Sequence, residues 1–460
     1  MVGVASTVRL GLSRPLAMLI GLCVLSACSG SEETIGADLR CEVGAYSLDS
    51  GALIDIGLLD AEQLRWRTLD GRTGRLKRTA EQPTWSGTVG WTDDPHPARV
   101  ELGDCADQRI QVAGIEGIDG AGERVTFEIT DTRFQGEGVE LAGRLVMPVG
   151  DEPVPLVVLV HGSEDYSALD YYYDQRQLPA QGIGVFVYDK RGTGQSEGDY
   201  SQDFHLLAAD AAAAHRTALA LAGERAAHSG YSGGSQGGWV APLAATLSDV
   251  DFVVASYGMA EGPLAEDRDE VQLRLRKAGY GAEVLAQARE ITDATGRLLA
   301  SDFEAGADDL QRLRARYQEE PWFAELEGGV TWEMVSRPLW QFRAGYYFLD
   351  VGTSWNYEPM SVLRKVDVPM LWVLAGADSS APPEQTRRRL GELQQGGQPV
   401  DVAYFPNTEH GMIRFTETVD GERKELGYAS GYFPLLADWI ANLRLSAQVP
   451  DAELSPRTDA

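Results

Sequence analysis

The segment Gly230-Tyr231-Ser232-Gly233-Gly234-Ser235-Gln236-Gly237-Gly238-Trp239 constrains this 460-residue chain more than any other. It holds G-x-S-x-G twice, centred on Ser232 and on Ser235. The pattern has a mechanical basis. A nucleophilic serine on a sharp strand-to-helix turn needs small neighbours, because larger side chains would collide across the turn. A helix must also begin directly behind it. Helical pattern starts around 239–247, so Ser235 has Gly237 and Gly238 in the first turn and helix formers after them. Ser232 would leave five more Gly or Ser positions before any helix former. Ser235 is therefore the expected nucleophile.

The surrounding texture supplies the sheet such a turn requires. Nearly continuous apolar runs at 156–160, 185–188, 252–255 and 370–374 suit parallel strands covered on both faces. Runs at 124–130 and 139–147 alternate apolar and polar residues, as edge strands do. Helical stretches at 206–221, 240–247 and 435–445 separate them, and strands alternating with helices make an α/β fold. Residues from about 259 to 362 break the rhythm with helix-like segments and no convincing strand, which predicts a helical cap over the sheet's C-terminal edge. Its aromatics, including Trp322, Phe323, Trp332, Trp340, Phe342, Tyr346, Tyr347 and Phe348, are expected mainly as cap core, with some lining an acyl or alcohol pocket. Residues 28–118 comprise a tether and a turn-rich segment that reads as a small antiparallel β unit. No chemistry is legible in it, and Trp66, Trp85 and Trp91 are expected as its core. The hydrolase-like region spans 119–448, and 449–460 is expected to be a flexible tail.

Order along the chain tests the remaining roles. With a serine on such a turn, the acid and then the histidine follow it. Of the histidines at 96, 161, 205, 215, 228 and 410, only His410 follows the last strong apolar strand. Asp378 occupies the loop after 370–374, before Pro382-Pro383, and is the expected orienting acid; Glu409, adjacent to the histidine in an extended loop, would point away. An oxyanion hole needs two backbone N–H donors. Gln236, after the nucleophile, supplies one, and Ser163 in Val160-His161-Gly162-Ser163-Glu164 supplies the other. His161 reads as a structural residue of that loop.

These stretches, with Tyr188-Asp189-Lys190-Arg191-Gly192-Thr193-Gly194-Gln195-Ser196, resemble the α/β-hydrolases of the bacterial esterase and serine-peptidase-like branch over about 122–448. The resemblance implies a structural role for Asp189, Arg191 and Gly194 in the turn after the fourth strand. One departure stands out. The oxyanion loop continues Ser163-Glu164-Asp165-Tyr166, where relatives often carry glycine or proline, so the acids must turn away from a developing oxyanion.

The N-terminus reads as an address. Residues 1–27 carry Arg9, Arg14 and a short apolar run, and no acid. Leu25-Ser26-Ala27-Cys28 resembles a bacterial lipobox, which implies cleavage before Cys28, lipid on Cys28, and a tethered protein of the cell envelope. Ser29 points to outer-membrane retention. In an exported chain the two remaining thiols, Cys41 and Cys105, are best read as one disulfide. Removing the signal's two arginines takes the formal charge from −29 to −31. Such acidity disfavours nucleic acid and polybasic lipid contact. It also tilts the substrate toward neutral esters or cationic amines.

The expectation is a serine hydrolase cleaving a carboxylic ester, with no cofactor and no metal, since H-E-x-x-H and Cys/His clusters are missing from the sequence. Membrane contact is expected through the N-terminal lipid only. The rivals are an aminopeptidase, which would need a cap carboxylate such as Glu266, Asp267 or Glu325 for the α-amino group; an acyltransferase or thioesterase on the same residues; and a catalytically idle binding lipoprotein.

Overall fold

Two bodies of β-structure follow one another in the chain, and the second carries the serine turn. The computed structural model describes residues 37–457 apart from 80–83, 105, 327–328, 350, 420 and 447. Cys28 and Cys105 therefore lie outside the described residues, as does the lipobox.

The first body is a closed eight-stranded antiparallel barrel: Gly44–Leu48, Leu53–Leu58, Leu64–Thr68, Thr73–Arg78, Thr84–Thr88, Pro95–Leu102, Arg109–Ala113 and Gly120–Arg124. Closure is made by the first strand, where Tyr46 pairs with Ile54 on one side and Arg124 on the other. A barrel of eight strands is just wide enough for side chains to fill. Tyr46, Ile54, Ile56, Leu64, Trp66, Leu76, Trp85 and Val100 do so. The β unit thus runs to Arg124 rather than ending at 118, because the last strand is needed to close the ring.

The second body is a nine-stranded sheet. In spatial order it runs Phe127–Gln135, Glu140–Pro148, Gly184–Tyr188, Val154–Val160, Ala226–Gly234, Phe252–Ser256, Met370–Ala375, Val400–Phe405 and Glu453–Ser455. The strands from Gly184–Tyr188 to Val400–Phe405 are parallel, and the outer strands at both edges are antiparallel. The central strands alternate between two cores. Leu156, Val158 and Val160 face the helix Phe204–Ala222, and Val157 and Leu159 face the helix Tyr432–Asn442. This double burial explains why the sequence shows continuous apolar runs there instead of alternation. Asp203 caps Phe204–Ala222 by accepting from the His205 and Leu206 amides at 2.9 and 3.3 Å, and buried Ala208, Ala211, Ala214 and Ala218 let the helix lie close to the sheet.

Between Phe252–Ser256 and Met370–Ala375 the chain forms the expected helical insertion, beginning with Pro263–Lys277 and Ala282–Ala300, around a core of its own that includes Leu298, Trp322 and Met334. The tail differs from expectation. Glu453–Ser455 pairs with 402–404, and the Arg457 amide donates to Asp401 at 2.8 Å, so the segment completes the sheet's edge rather than fraying. A three-stranded sheet of Thr408–Glu409, Ile413–Glu417 and Arg423–Tyr428 follows the last long parallel strand.

That small sheet ties the two bodies together. The Tyr428 amide donates to Gly71 O at 2.7 Å, and the Trp91 amide to Glu425 O at 3.1 Å. Beneath it lies a buried ion network. Asp55 of the barrel accepts from Arg67 at 3.1 Å and from Arg176, on the other body, at 2.6 Å.

Candidate active site

The strand Ala226–Gly234 delivers the serine segment to the sheet's C-terminal edge, and the helix Gly237–Ala245 leaves directly behind it. Ser235 has φ of +54°, in the left-handed region that an L-residue seldom adopts. The glycines are steric necessities. A Cβ on Gly233 would fall 2.4 Å from Gly237 O, and one on Gly238 would fall 3.0 Å from the Gly258 Cα. Ser232 instead lies inside the strand, paired with Leu159 and Val254.

Ser235, His410 and Asp378 form one hydrogen-bonded line. His410 Nε2 is 3.1 Å from Ser235 Oγ, and His410 Nδ1 is 2.9 Å from Asp378 Oδ2. Asp378 is buried, and its other oxygen accepts from the Ser380 and Ala381 amides at 3.0 and 2.8 Å, which fixes the carboxylate for the histidine. Burial disfavours the imidazolium of His410. The hydrogen bond and charge of Asp378, with the charges of Glu266 and Glu409, outweigh that, so the pKa is raised above 6.5. Glu409 itself turns away to Ser379 and, at 2.6 Å, to Arg423.

The loop after Val154–Val160 carries Ser163, and Gln236 follows Ser235 on the serine turn itself. Among the described residues neither amide donates to a protein acceptor. Glu164 folds inward: it accepts from the Gly162 amide at 3.1 Å and from Tyr172, and lies 3.3 Å from His161. Burial pushes its carboxyl up, but the bonds from His161 and Tyr172 prevail and bring it to about 2. Asp165 points to solvent. Both acids are thus accounted for without facing the two amides. His161 is a buried brace, its Nε2 lying 2.5 Å from Tyr188 O and 3.2 Å from the Lys190 amide. Asp189, Arg191 and Gly194 build the adjoining turn: Asp189 accepts from Ser167, Leu169 and Gln195, and Arg191 grips Asp210 at 2.7 and 2.8 Å.

Ser235 and His410 open into a cavity of about 830 Å³. Its aromatic wall is Trp91, Tyr166, Tyr172, Tyr257, Tyr428 and Tyr432 among others, and among the described residues none of the helical cap lines it. The cap aromatics go elsewhere: Trp322 and Phe323 fill the cap core, Trp340 is 70% exposed, and the side chains of Tyr346, Tyr347 and Phe348 lie outside the described residues. The wall comes instead from the barrel, from the 166–173 segment and from the small sheet after His410. Trp91 is therefore a cavity residue rather than barrel core. Arg65 and Arg67 reach the same cavity from Leu64–Thr68. A signal for them existed. In Leu64-Arg65-Trp66-Arg67-Thr68 the arginines share the outer face of a strand whose Leu64 and Trp66 point into the barrel.

Residues 151–262 match the family model described as Serine aminopeptidase, S33. A stretch of 76 residues is 34% identical to an opine oxidase subunit of Rhizobium meliloti (strain 1021), covering 15% of this chain and 17% of that protein. Among solved structures, the Pyrococcus horikoshii acylaminoacyl peptidase is 14% identical with a TM-score of 0.42, covering 84% of this chain and 55% of the peptidase. A Pyrococcus furiosus esterase is 15% identical with a TM-score of 0.39, covering 62% of this chain and 84% of the esterase. The chain thus spans about half the length of that peptidase and under a fifth of the oxidase protein. At such identities the solved structures say nothing of this chain's substrate. The sheet places the fourth strand between the second and third, the serine turn follows the fifth, and the matched family covers that turn. By these features the chain has the α/β-hydrolase fold, and the serine-aminopeptidase family model matches the part of it that carries the serine turn.

Proposed function

We propose that the chain is a carboxylic-ester hydrolase working through an acyl-enzyme on Ser235. The observation that carries this reading is the line Ser235–His410–Asp378 opening into the aromatic-walled cavity. His410 Nε2 takes the Ser235 proton as Oγ attacks the ester carbonyl, and the new oxyanion faces the Gln236 and Ser163 amides. Asp378 holds Nδ1–H and steadies the imidazolium, which then protonates the departing alcohol. Water, activated by the same histidine, releases the acid.

The peptidase reading depends on a cap carboxylate for the substrate's α-ammonium. Asp267 accepts from the Thr331 amide and hydroxyl at 3.0 and 2.6 Å, so it is engaged within the cap. Glu266 is the cap acid whose charge couples to His410 and Asp378, and burial pushes its carboxyl up to about 8. Desolvation that disfavours its charged form makes it a weaker ammonium acceptor than an exposed carboxylate, which favours the ester. A panel of p-nitrophenyl esters against aminoacyl p-nitroanilides tests the choice. Esters are expected to show at least tenfold higher kcat/KM; faster anilide cleavage that Glu266→Gln abolishes would establish the peptidase instead.

The pH profile follows from His410. The base is active when neutral, and its pKa is raised, so the acid limb of kcat/KM is expected above pH 6.5. In Asp378→Asn the largest raising interactions go while burial remains, so the limb should move below its wild-type position and the plateau fall about 10³- to 10⁴-fold. A limb that stays in place would separate His410 from Asp378.

We also propose that the chain is exported and held at the envelope by lipid on Cys28, with Cys41 and Cys105 paired. Closing a loop of about 65 residues stabilises by roughly 4 kcal/mol in the chain-entropy model. Reductant is expected to lower the Tm of the wild type and leave that of Cys41→Ser unchanged; melting curves that do not respond to reductant in either protein would contradict the pairing.

A further inference from the structure

Arg65 is 2% exposed, yet it has no acidic partner within ion-pair distance among the described residues. Its Nη1 donates to Gly90 O at 3.0 Å, its guanidinium lies 4.5 Å from the centre of the Trp91 ring, and its Nη2 has no hydrogen-bond partner among the described residues. A buried guanidinium left in this condition is costly, because desolvation is not offset by a direct ion pair. Burial, followed by repulsion from Arg67, pulls its pKa down from 12.5 to about 10.

Most of the other charges of the cavity are engaged. Arg67 has Asp55 and the Tyr428 hydroxyl. Glu164 has His161, Tyr172 and the Gly162 amide. Asp60 accepts from the Glu62 and Gln63 amides at 2.8 and 2.7 Å. Asp174 is the exception: it lies near Arg67 without an ion pair among the described residues, and desolvation raises its carboxyl to about 6. Among the described residues, Arg65 is therefore the cation in the wall around Ser235 that has no carboxylate at ion-pair distance and feels only the more remote charge of Glu425, held in orientation by Gly90 and Trp91 with one nitrogen left to donate.

We propose that Arg65 is a specificity residue that binds a carboxylate on the substrate, so that the preferred esters carry a free carboxylate remote from the scissile bond. This rests on the esterase reading. A carboxylate fits better than a phosphate because one uncompensated charge and one free nitrogen match a single negative charge and one accepting oxygen. The barrel then has a purpose: it delivers the residue that chooses the substrate. The inference reverses the sign suggested by net charge. The −29 of the whole chain is spread over a solvated surface and screened within about 8–10 Å in salt, whereas Arg65 acts inside a cavity where screening is weak.

The test compares p-nitrophenyl hemiesters of adipic and suberic acids with p-nitrophenyl hexanoate and octanoate on the full chain. Shorter hemiesters are avoided because their own carboxylate attacks the ester. The wild type is expected to favour the hemiesters about ten- to a hundredfold in kcat/KM, mainly through KM. Arg65→Gln should lower kcat/KM on the hemiesters about tenfold or more beyond its effect on hexanoate and octanoate, abolishing that preference, and Arg65→Lys should restore part of it. Equal losses on charged and neutral esters would make Arg65 structural and overturn the proposal. So would a wild type that prefers the neutral esters, and that result needs no variant to fold. If neither ester class is turned over, the esterase reading fails separately. Protection of Ser235 from a fluorophosphonate by adipate but not adipamide would then still support Arg65, and equal protection by both would overturn it.

Discussion

Ser235→Ala is expected to lower kcat/KM for p-nitrophenyl butyrate by about 10⁵- to 10⁶-fold, the scale seen when a nucleophile acting in concert with a base is removed. The remaining machinery should persist, since the His410–Asp378 bond at 2.9 Å and the Ser163 and Gln236 amides do not depend on the hydroxyl. Alanine tolerates the +54° backbone about as well as serine, so the protein should fold. Ser232→Ala is the matched control. Its backbone is a regular strand position between Leu159 and Val254, and its side chain borders the cavity without a hydrogen bond to His410. Loss of less than about tenfold is expected there. The opposite ranking would move the nucleophile to the first of the two motifs.

The second large effect concerns the joint between the bodies. Asp55→Ala is expected to destabilise by about 3–5 kcal/mol, because it strands Arg67 and Arg176, both buried, without their shared carboxylate. Asp55 is 2% exposed, so solvent cannot substitute for it. Asp94→Ala, which removes the exposed Lys424 contact across the same joint, should cost less than about 1 kcal/mol. Thermal denaturation of both variants checks the contrast. Activity should also fall in Asp55→Ala, since the barrel is hydrogen-bonded to the small sheet that begins two residues before His410. Equal melting temperatures for the two variants would mean the network does not hold the bodies together.

The parts of this fold that were legible in the sequence are those set by local pattern. The strand Met370–Ala375 and the turn at Ser235 follow from an apolar run and from glycines whose reason is steric and local. The order of Ser235, Asp378 and His410 needed only the succession of strands. The barrel's closure was not legible, because pairing Tyr46 with Arg124 joins residues far apart in sequence through backbone groups that carry no side-chain signature. Nor was the tail strand, whose three residues gain their pairing from an edge built elsewhere. The cap aromatics were expected mainly as cap core, and Trp322 and Phe323 are; the cavity wall was not legible, because Trp91 and Tyr428 reach the cavity from segments with no local mark of it. Only the placement of the barrel against the sheet makes them neighbours of Ser235.

Labelling of the intact chain with a fluorophosphonate, followed by peptide mapping, tests the central claim most directly. The account predicts one adduct per molecule, on Ser235, abolished by Ser235→Ala and by prior acylation with a slowly hydrolysed ester. An adduct on Ser232, or an unlabelled protein that still hydrolyses p-nitrophenyl esters, would contradict it.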